Sequence, residues 1–211
     1  REEIYASDHP MVLATKNNIA QVYASEERYG EAISLFETVI REYCENSTED
    51  SAFLAAVYDN LSTAYREMER YEDAIDICTE GLNIRKKIYG KRSLDYAISL
   101  NNLALIYYEM GILNNAADIF SEALAIKKET LPEIHGQISI GYFNLGLGYD
   151  KLHRDNEALE NYRASMEIDN ELEAYEDVLL TAEYIAEIYE RNDMPEDAEA
   201  YRTLCSKDDV H

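Results

Sequence analysis

The sequence predicts an all-α solenoid, a stack of helical hairpins in place of a single closed core. Three observations lead there. The first is a repeat of 42 residues: Asn18-Ile19-Ala20-Gln21-Val22-Tyr23 returns in step as Asn60-Leu61-Ser62-Thr63-Ala64-Tyr65, Asn102-Leu103-Ala104-Leu105-Ile106-Tyr107 and Asn144-Leu145-Gly146-Leu147-Gly148-Tyr149. A fifth copy, Tyr184-Ile185-Ala186-Glu187-Ile188-Tyr189, ends 40 residues further on, and Ala32, Ala74, Ala116, Ala158 and Ala198 form a second comb with the same steps. Self-similarity on this scale marks stacked supersecondary units. The second is helical spacing of apolar residues within each period. The third is composition: three Pro and eight Gly give little punctuation for an all-β chain, and 46% hydrophobic residues are those of a folded one.

Each period carries two amphipathic helices. The first hairpin, about residues 10–45, places Ala20 and Tyr23 on its first helix and Ala32 and Phe36 on its second. The next, 50–89, opens on Ser51 as N-cap, packs Ser62 and Tyr65 against Ala74 and Cys78, and ends at Gly90. In the third, 93–130, Ser93 caps a helix whose Leu100, Leu103, Ala104 and Tyr107 fall at i, i+3, i+4 and i+7. Met110-Gly111 turns the chain, and Ala116, Ile119, Phe120 and Ala123 repeat the stripe. The fourth, 135–170, uses Gly146, Tyr149, Ala158 and Tyr162. Its helix also holds Gly141 and Gly148, which either weaken it or let another backbone approach. The last, 174–207, has Pro195 at the start of its second helix, a tolerated first-turn position. Residues 1–9 read as the end of a preceding repeat or link, which makes the chain a piece of something longer, and 208–211 as a tail.

A small residue, Tyr three later, Ala nine after that and an aromatic four further on resemble the tetratricopeptide repeat. The usual period of that family is about 34; the longer one here, with Leu100-Asn101-Asn102-Leu103-Ala104, the Asp8-His9-Pro10 lead-in and Ile88-Tyr89-Gly90-Lys91, is similar to the repeats of kinesin light chains and their bacterial relatives. The resemblance spans about residues 8–205. It implies a right-handed α-α superhelix of five hairpins that binds proteins or peptides. The chain departs from the family pattern in lacking the proline that often ends a repeat, and in having Arg202 where the last aromatic belongs.

In such arrays the first helices line the concave side. On a helical wheel Asn102 lies roughly 150° from the buried stripe, and Asn18, Asn60 and Asn144 occupy the same slot. Asparagine donates and accepts, so a ladder of these amides suits an extended peptide backbone of any sequence; the resemblance implies the same use. The alternative is bonding between neighbouring repeats with no ligand. Specificity would come from Asn17, Gln21, Asp59, Thr63, Arg66, Asn101, Leu105, Phe143, Leu147 and Asp150 on the same face. That set lacks the Lys and Arg with which related repeats clamp a C-terminal carboxylate, so chaperone tails are disfavoured.

A net charge of −24 from 43 acidic and 19 basic residues repels nucleic acid and anionic lipid and favours neutral to basic protein partners. Residues 155–211 carry −14 of it, either as a solvated outer face or as a second contact surface. No run of about 18 apolar residues is present to span a membrane, nor a signal-peptide pattern. Three scattered cysteines without CxxC spacing read as buried, reduced thiols of a cytoplasmic protein. His9, His135, His153 and His211 match no metal or catalytic motif, and the glycines of the fourth hairpin are not followed by a phosphate-loop Lys. The expectation is therefore a non-catalytic scaffold without cofactor or metal, holding a partner segment in its groove. The alternatives are a ligand-responsive module of a larger effector (a protease, another enzyme or a transcription regulator fused outside this stretch) and self-association through exposed repeat ends.

Overall fold

A computed structural model describes residues 9–47 and 51–206; residues 1–8 of the link expected at 1–9, and the tail at 208–211, lie outside the described residues. Among these residues the chain forms ten helices: α1 Pro10–Ser25, α2 Tyr29–Asn46, α3 Ala52–Glu67, α4 Tyr71–Tyr89, α5 Leu94–Glu109, α6 Leu113–Thr130, α7 Gly136–Lys151, α8 Asp155–Glu171, α9 Tyr175–Arg191 and α10 Pro195–Ser206. They follow one another as five hairpins, and the chain divides into two compact units, Arg1–Ile106 and Tyr107–His211.

Local chemistry sets the ends. Ser51 Oγ accepts from the Leu54 amide at 3.1 Å and Ser93 Oγ from the Tyr96 amide at 3.2 Å, so both serines cap as expected. His9 and His135 cap α1 and α7 in the same manner through Nδ1, at 3.2 and 3.0 Å. The turn inside each hairpin is one recurring device. Glu27, Glu69, Gly111, His153 and Asp193, in register, all have positive φ. The residue after each donates its amide to the carbonyl of the repeat tyrosine: Arg28 to Tyr23, Arg70 to Tyr65, Ile112 to Tyr107 and Arg154 to Tyr149 at 2.9 Å, Met194 to Tyr189 at 3.0 Å. This closes the helix with a left-handed residue and satisfies a carbonyl that would otherwise be orphaned. In three of the turns an arginine then lies over the tyrosine ring, Arg28 at 4.2 Å, Arg70 at 4.3 Å and Arg154 at 4.5 Å from the centroid.

The alanine comb is buried throughout. Small and large residues are matched across each hairpin. Gly146 shows why: a Cβ there would stand 2.7 Å from the Tyr162 ring, so the largest aromatic of its slot demands the smallest partner. In the second unit Ala158, Tyr162, Ile185 and Ile188 form a core with Phe143 and Tyr184 packed on it. In the first, Leu54, Ala55 and Ile84 do so with Ile40, Tyr43 and Tyr58. Gly141 and Gly148 of α7 are also filled from within the chain: Leu124 would be 2.9 Å from a Cβ on Gly141, and Ala117 and Phe120 face Gly148. At Gly148 the α6 backbone comes close, with Ala117 Cα 3.6 Å from a Cβ placed there, and α7 is not interrupted.

The cysteines need one correction. Cys78 is buried, and burial pushes its thiol up to about 12, but Cys44 is exposed. Cys44 lies in the last turn of α2, past the final residue that α2 buries. The Cys205 side chain lies outside the described residues. No helix among the described residues is long and apolar enough to cross a membrane, and no three His, Cys, Asp or Glu of those residues gather as a metal site.

Candidate functional site

The first unit brings part of the expected face together. Asn18 and Gln21 of α1 are exposed, as is Thr63 of α3, while Asn60 is half-buried. Gln21, Asn60 and Thr63 line one small cavity of about 130 Å³, floored by Tyr29 and Phe36 of α2. Asn60 also donates from Nδ2 to Oδ1 of Asn17 at 3.3 Å, an amide bond between neighbouring repeats. Asn17 itself is buried. The Asn60 amide thus takes part in inter-repeat bonding and still borders open space. Asn101, Asn102 and Leu105 of α5 are half-buried.

The charged members of the face are differently placed. Asp59 is buried, with Oδ2 2.6 Å from Nη2 of Arg85 on α4, and its Oδ1 accepts from Ser99 Oγ on α5 at 3.1 Å. Arg85 in turn donates from Nη1 to Ser99 Oγ at 2.8 Å and to the Asp95 carbonyl at 3.1 Å. Burial pushes the Asp59 carboxyl up to about 6, against the opposing pull of Arg85 and Ser99. Asp59 therefore ties the second repeat to the third. Arg66, half-buried, pairs with Glu67.

In the second unit Phe143 meets Tyr184 edge-on with centroids 5.3 Å apart and Tyr162 at 5.6 Å, so its ring belongs to the core. Leu147 packs on the same cluster. Asn144, in the slot of Asn18, is 7% exposed. Asp150 pairs with Arg191 of α9 at 2.5 Å. The four ladder slots thus run from exposed at Asn18, through half-buried at Asn60 and Asn102, to buried at Asn144.

The residues that sequence reasoning missed share one slot of the repeat. Arg85, Lys127 and Asp169 are 42 apart, and all three are buried. Burial alone lowers the Lys127 ammonium to about 8. The signal was the period itself: charged residues in one slot of consecutive second helices.

Family models of the tetratricopeptide repeat match residues 12–46 and 53–129, together more than half of the chain. The chain is a tetratricopeptide-repeat protein. The models that match these repeats are not those of a catalytic family, and tetratricopeptide repeats generally act in protein–protein interaction. Among curated proteins none matches this repeat protein in sequence at a significant level. Among solved structures it is similar to BtubC (BKLC) from P. vanneervenii, 20% identical with a TM-score of 0.83, over 95% of this chain and 82% of that one. It is similar also to the nearly identical repeats of a kinesin light chain from Podosopora anserina, at 20% identity and TM-score 0.80, over 96% and 99% of the two chains. A third likeness is to the Rap conjugation gene regulator of plasmid pLS20, in complex with the Phr* peptide. It is 17% identical with a TM-score of 0.74, and the match covers 96% of this chain and 56% of that regulator.

Proposed function

We propose that this tetratricopeptide-repeat protein is a non-catalytic scaffold that holds an extended segment of a partner along the first-helix face of its first unit. The observation that carries the reading is the convergence of Gln21, Asn60 and Thr63 on one cavity, with Asn18 exposed beside them. These side chains offer donors and acceptors to a peptide backbone without selecting its side chains. The peptide held by the similar Rap regulator supports the mode. The net charge of −24 favours a neutral to basic partner and disfavours nucleic acid and anionic membranes. Free thiols at Cys44 and Cys78 fit a cytoplasmic protein.

The test is affinity capture from source-cell lysate with the wild type and an Asn18→Ala/Asn60→Ala/Asn102→Ala variant of unchanged helicity. Asn144 is left alone because it is buried. The reading expects a protein retained by the wild type and lost from the variant. Equal retention makes the amides purely structural. A second reading, a ligand-responsive module of a larger effector, draws support from the Rap regulator, a gene regulator of which this chain matches about half. There the same ligand would shift the activity of an attached domain.

A further inference from the structure

The second unit contains a cavity that the ladder does not use. It measures about 140 Å³ and lies among α7, α8 and α9, with Ser139, Ser165, Asp169, Asp177 and Thr181 supplying its polar lining. Asp169 is 5% exposed, and no Lys, Arg or His among the described residues pairs with it. Its contact with Ser165 Oγ is long, at 3.4 Å, because Ser165 is engaged with Ser139: the two hydroxyls stand 2.9 Å apart and Ser165 Oγ donates to the Ser139 carbonyl at 3.0 Å. Thr181, 2% exposed, lines the same cavity. Burial raises the Asp169 carboxyl, opposed by side-chain hydrogen bonds with Ser139 and Ser165 and reinforced by the nearby charge of Asp177. In register, the slot that holds the arginine of a buried ion pair in the second repeat here holds an acid with no counter-charge. The Asp169 carboxylate thus shares one cavity with the Thr181 hydroxyl and has no cation to balance it, an arrangement that an incoming cation would improve.

The rim supplies the rest. Ile140, Leu172 and Leu180 border the cavity, each of them 43% to 47% exposed. Ile140 precedes Asn144 by one helical turn, and Leu180 likewise precedes Tyr184, the residue of the ladder slot in the fifth repeat. The mouth therefore lies on the side of α7 and α9 that carries Asn144 and Tyr184. An apolar rim over a carboxylate floor fits an aliphatic stem ending in a charged head. A cavity of about 150 Å³ admits benzene, with six heavy atoms; a lysine side chain brings five.

We infer that this cavity is a pocket for a lysine side chain of a partner protein. The stem lies between Ile140 and Leu180, and the ammonium donates to Asp169 and to Thr181 Oγ1. The identity of the residue's owner rests on the scaffold reading; the pocket's preference does not, and it can be measured without any peptide. The probe is n-butylammonium, which copies the lysine side chain, titrated into the whole chain and followed by amide ¹H–¹⁵N shifts. Saturable shifts at Ser139, Ser165 and Thr181 are expected with n-butylammonium and not with 1-butanol or sodium chloride at matched ionic strength. Asp169→Asn weakens binding at least about tenfold and Thr181→Val weakens it less, in keeping with a lost charged and a lost neutral hydrogen bond. Asp169→Asn also raises the melting temperature, since it removes a buried unpaired charge, so its loss of binding is not a loss of fold. No saturable shift with n-butylammonium, equal shifts with 1-butanol or sodium, or unchanged affinity in Asp169→Asn overturns the pocket. None of these results touches the capture experiment, which judges the ladder by itself.

Discussion

At the residue scale the Asp59–Arg85–Ser99 junction is the most consequential feature of the first unit. Two buried charges and a hydroxyl link α3, α4 and α5. Removing one partner of such a pair strands the other, so Arg85→Ala is expected to cost about 3–5 kcal/mol in urea unfolding. The pH dependence has a definite sign. A carboxyl whose folded pKa is raised to about 6 from 3.8 gives stability that is fully present below the unfolded pKa and lost as pH rises through the folded one. Between pH 4 and 7 the wild type should therefore lose about 1–3 kcal/mol relative to Asp59→Asn. Parallel stabilities of the two proteins across that range would show that Asp59 does not titrate as described. Sequence reasoning gave Asp59 and Asp150 to the binding face because a wheel drawn on one helix contains only that helix. Their partners Arg85 and Arg191 sit on other helices, and only packing brings them in.

At the scale of elements, the hairpin turn is the unit that the chain repeats. Its tyrosine comb and Gly111 were legible in the sequence, and so were the serine caps, because each rests on local chemistry within a few residues. The left-handed position was not legible in the other repeats, where Glu27, Glu69, His153 and Asp193 fill it. A left-handed conformation costs an L-residue roughly 1–2 kcal/mol, part of which glycine returns as unfolded-state entropy. Glu69→Gly is thus expected to raise stability by about 0.5–1 kcal/mol, and Gly111→Ala to lower it by about 1 kcal/mol, both read from urea midpoints. If Glu69→Gly is destabilising instead, the glutamate has a role beyond its backbone. The same reasoning explains what the glycines of α7 hid. Composition leaves open whether a missing side chain makes room for a ligand or for a neighbouring helix, and the Leu124 and Tyr162 side chains decide it.

For the whole molecule, the repeat made the five hairpins legible, since a 42-residue step carries the same stripe to the same place each time. It could not grade the slots. Asn18 and Asn144 are equivalent in sequence, yet one is exposed and the other buried. Charge acts at this scale too. With a net charge of −24, association with a basic partner should be steered by long-range attraction, so its on-rate should fall steeply between low and high salt while the off-rate changes little. Stopped-flow association at several ionic strengths measures this; a flat on-rate would mean that the acidic surface serves solubility alone.

The account depends most on the amides of the first unit. Its most direct measurement is fluorescence anisotropy of a labelled segment of the captured partner, titrated with the wild type and with the folded Asn18→Ala/Asn60→Ala/Asn102→Ala protein. Three lost hydrogen bonds at about 0.5–1.5 kcal/mol each predict an affinity weaker by roughly 10-fold to 1,000-fold. Equal affinity for the two proteins, with helicity and melting temperature unchanged, would contradict the ladder as a binding site.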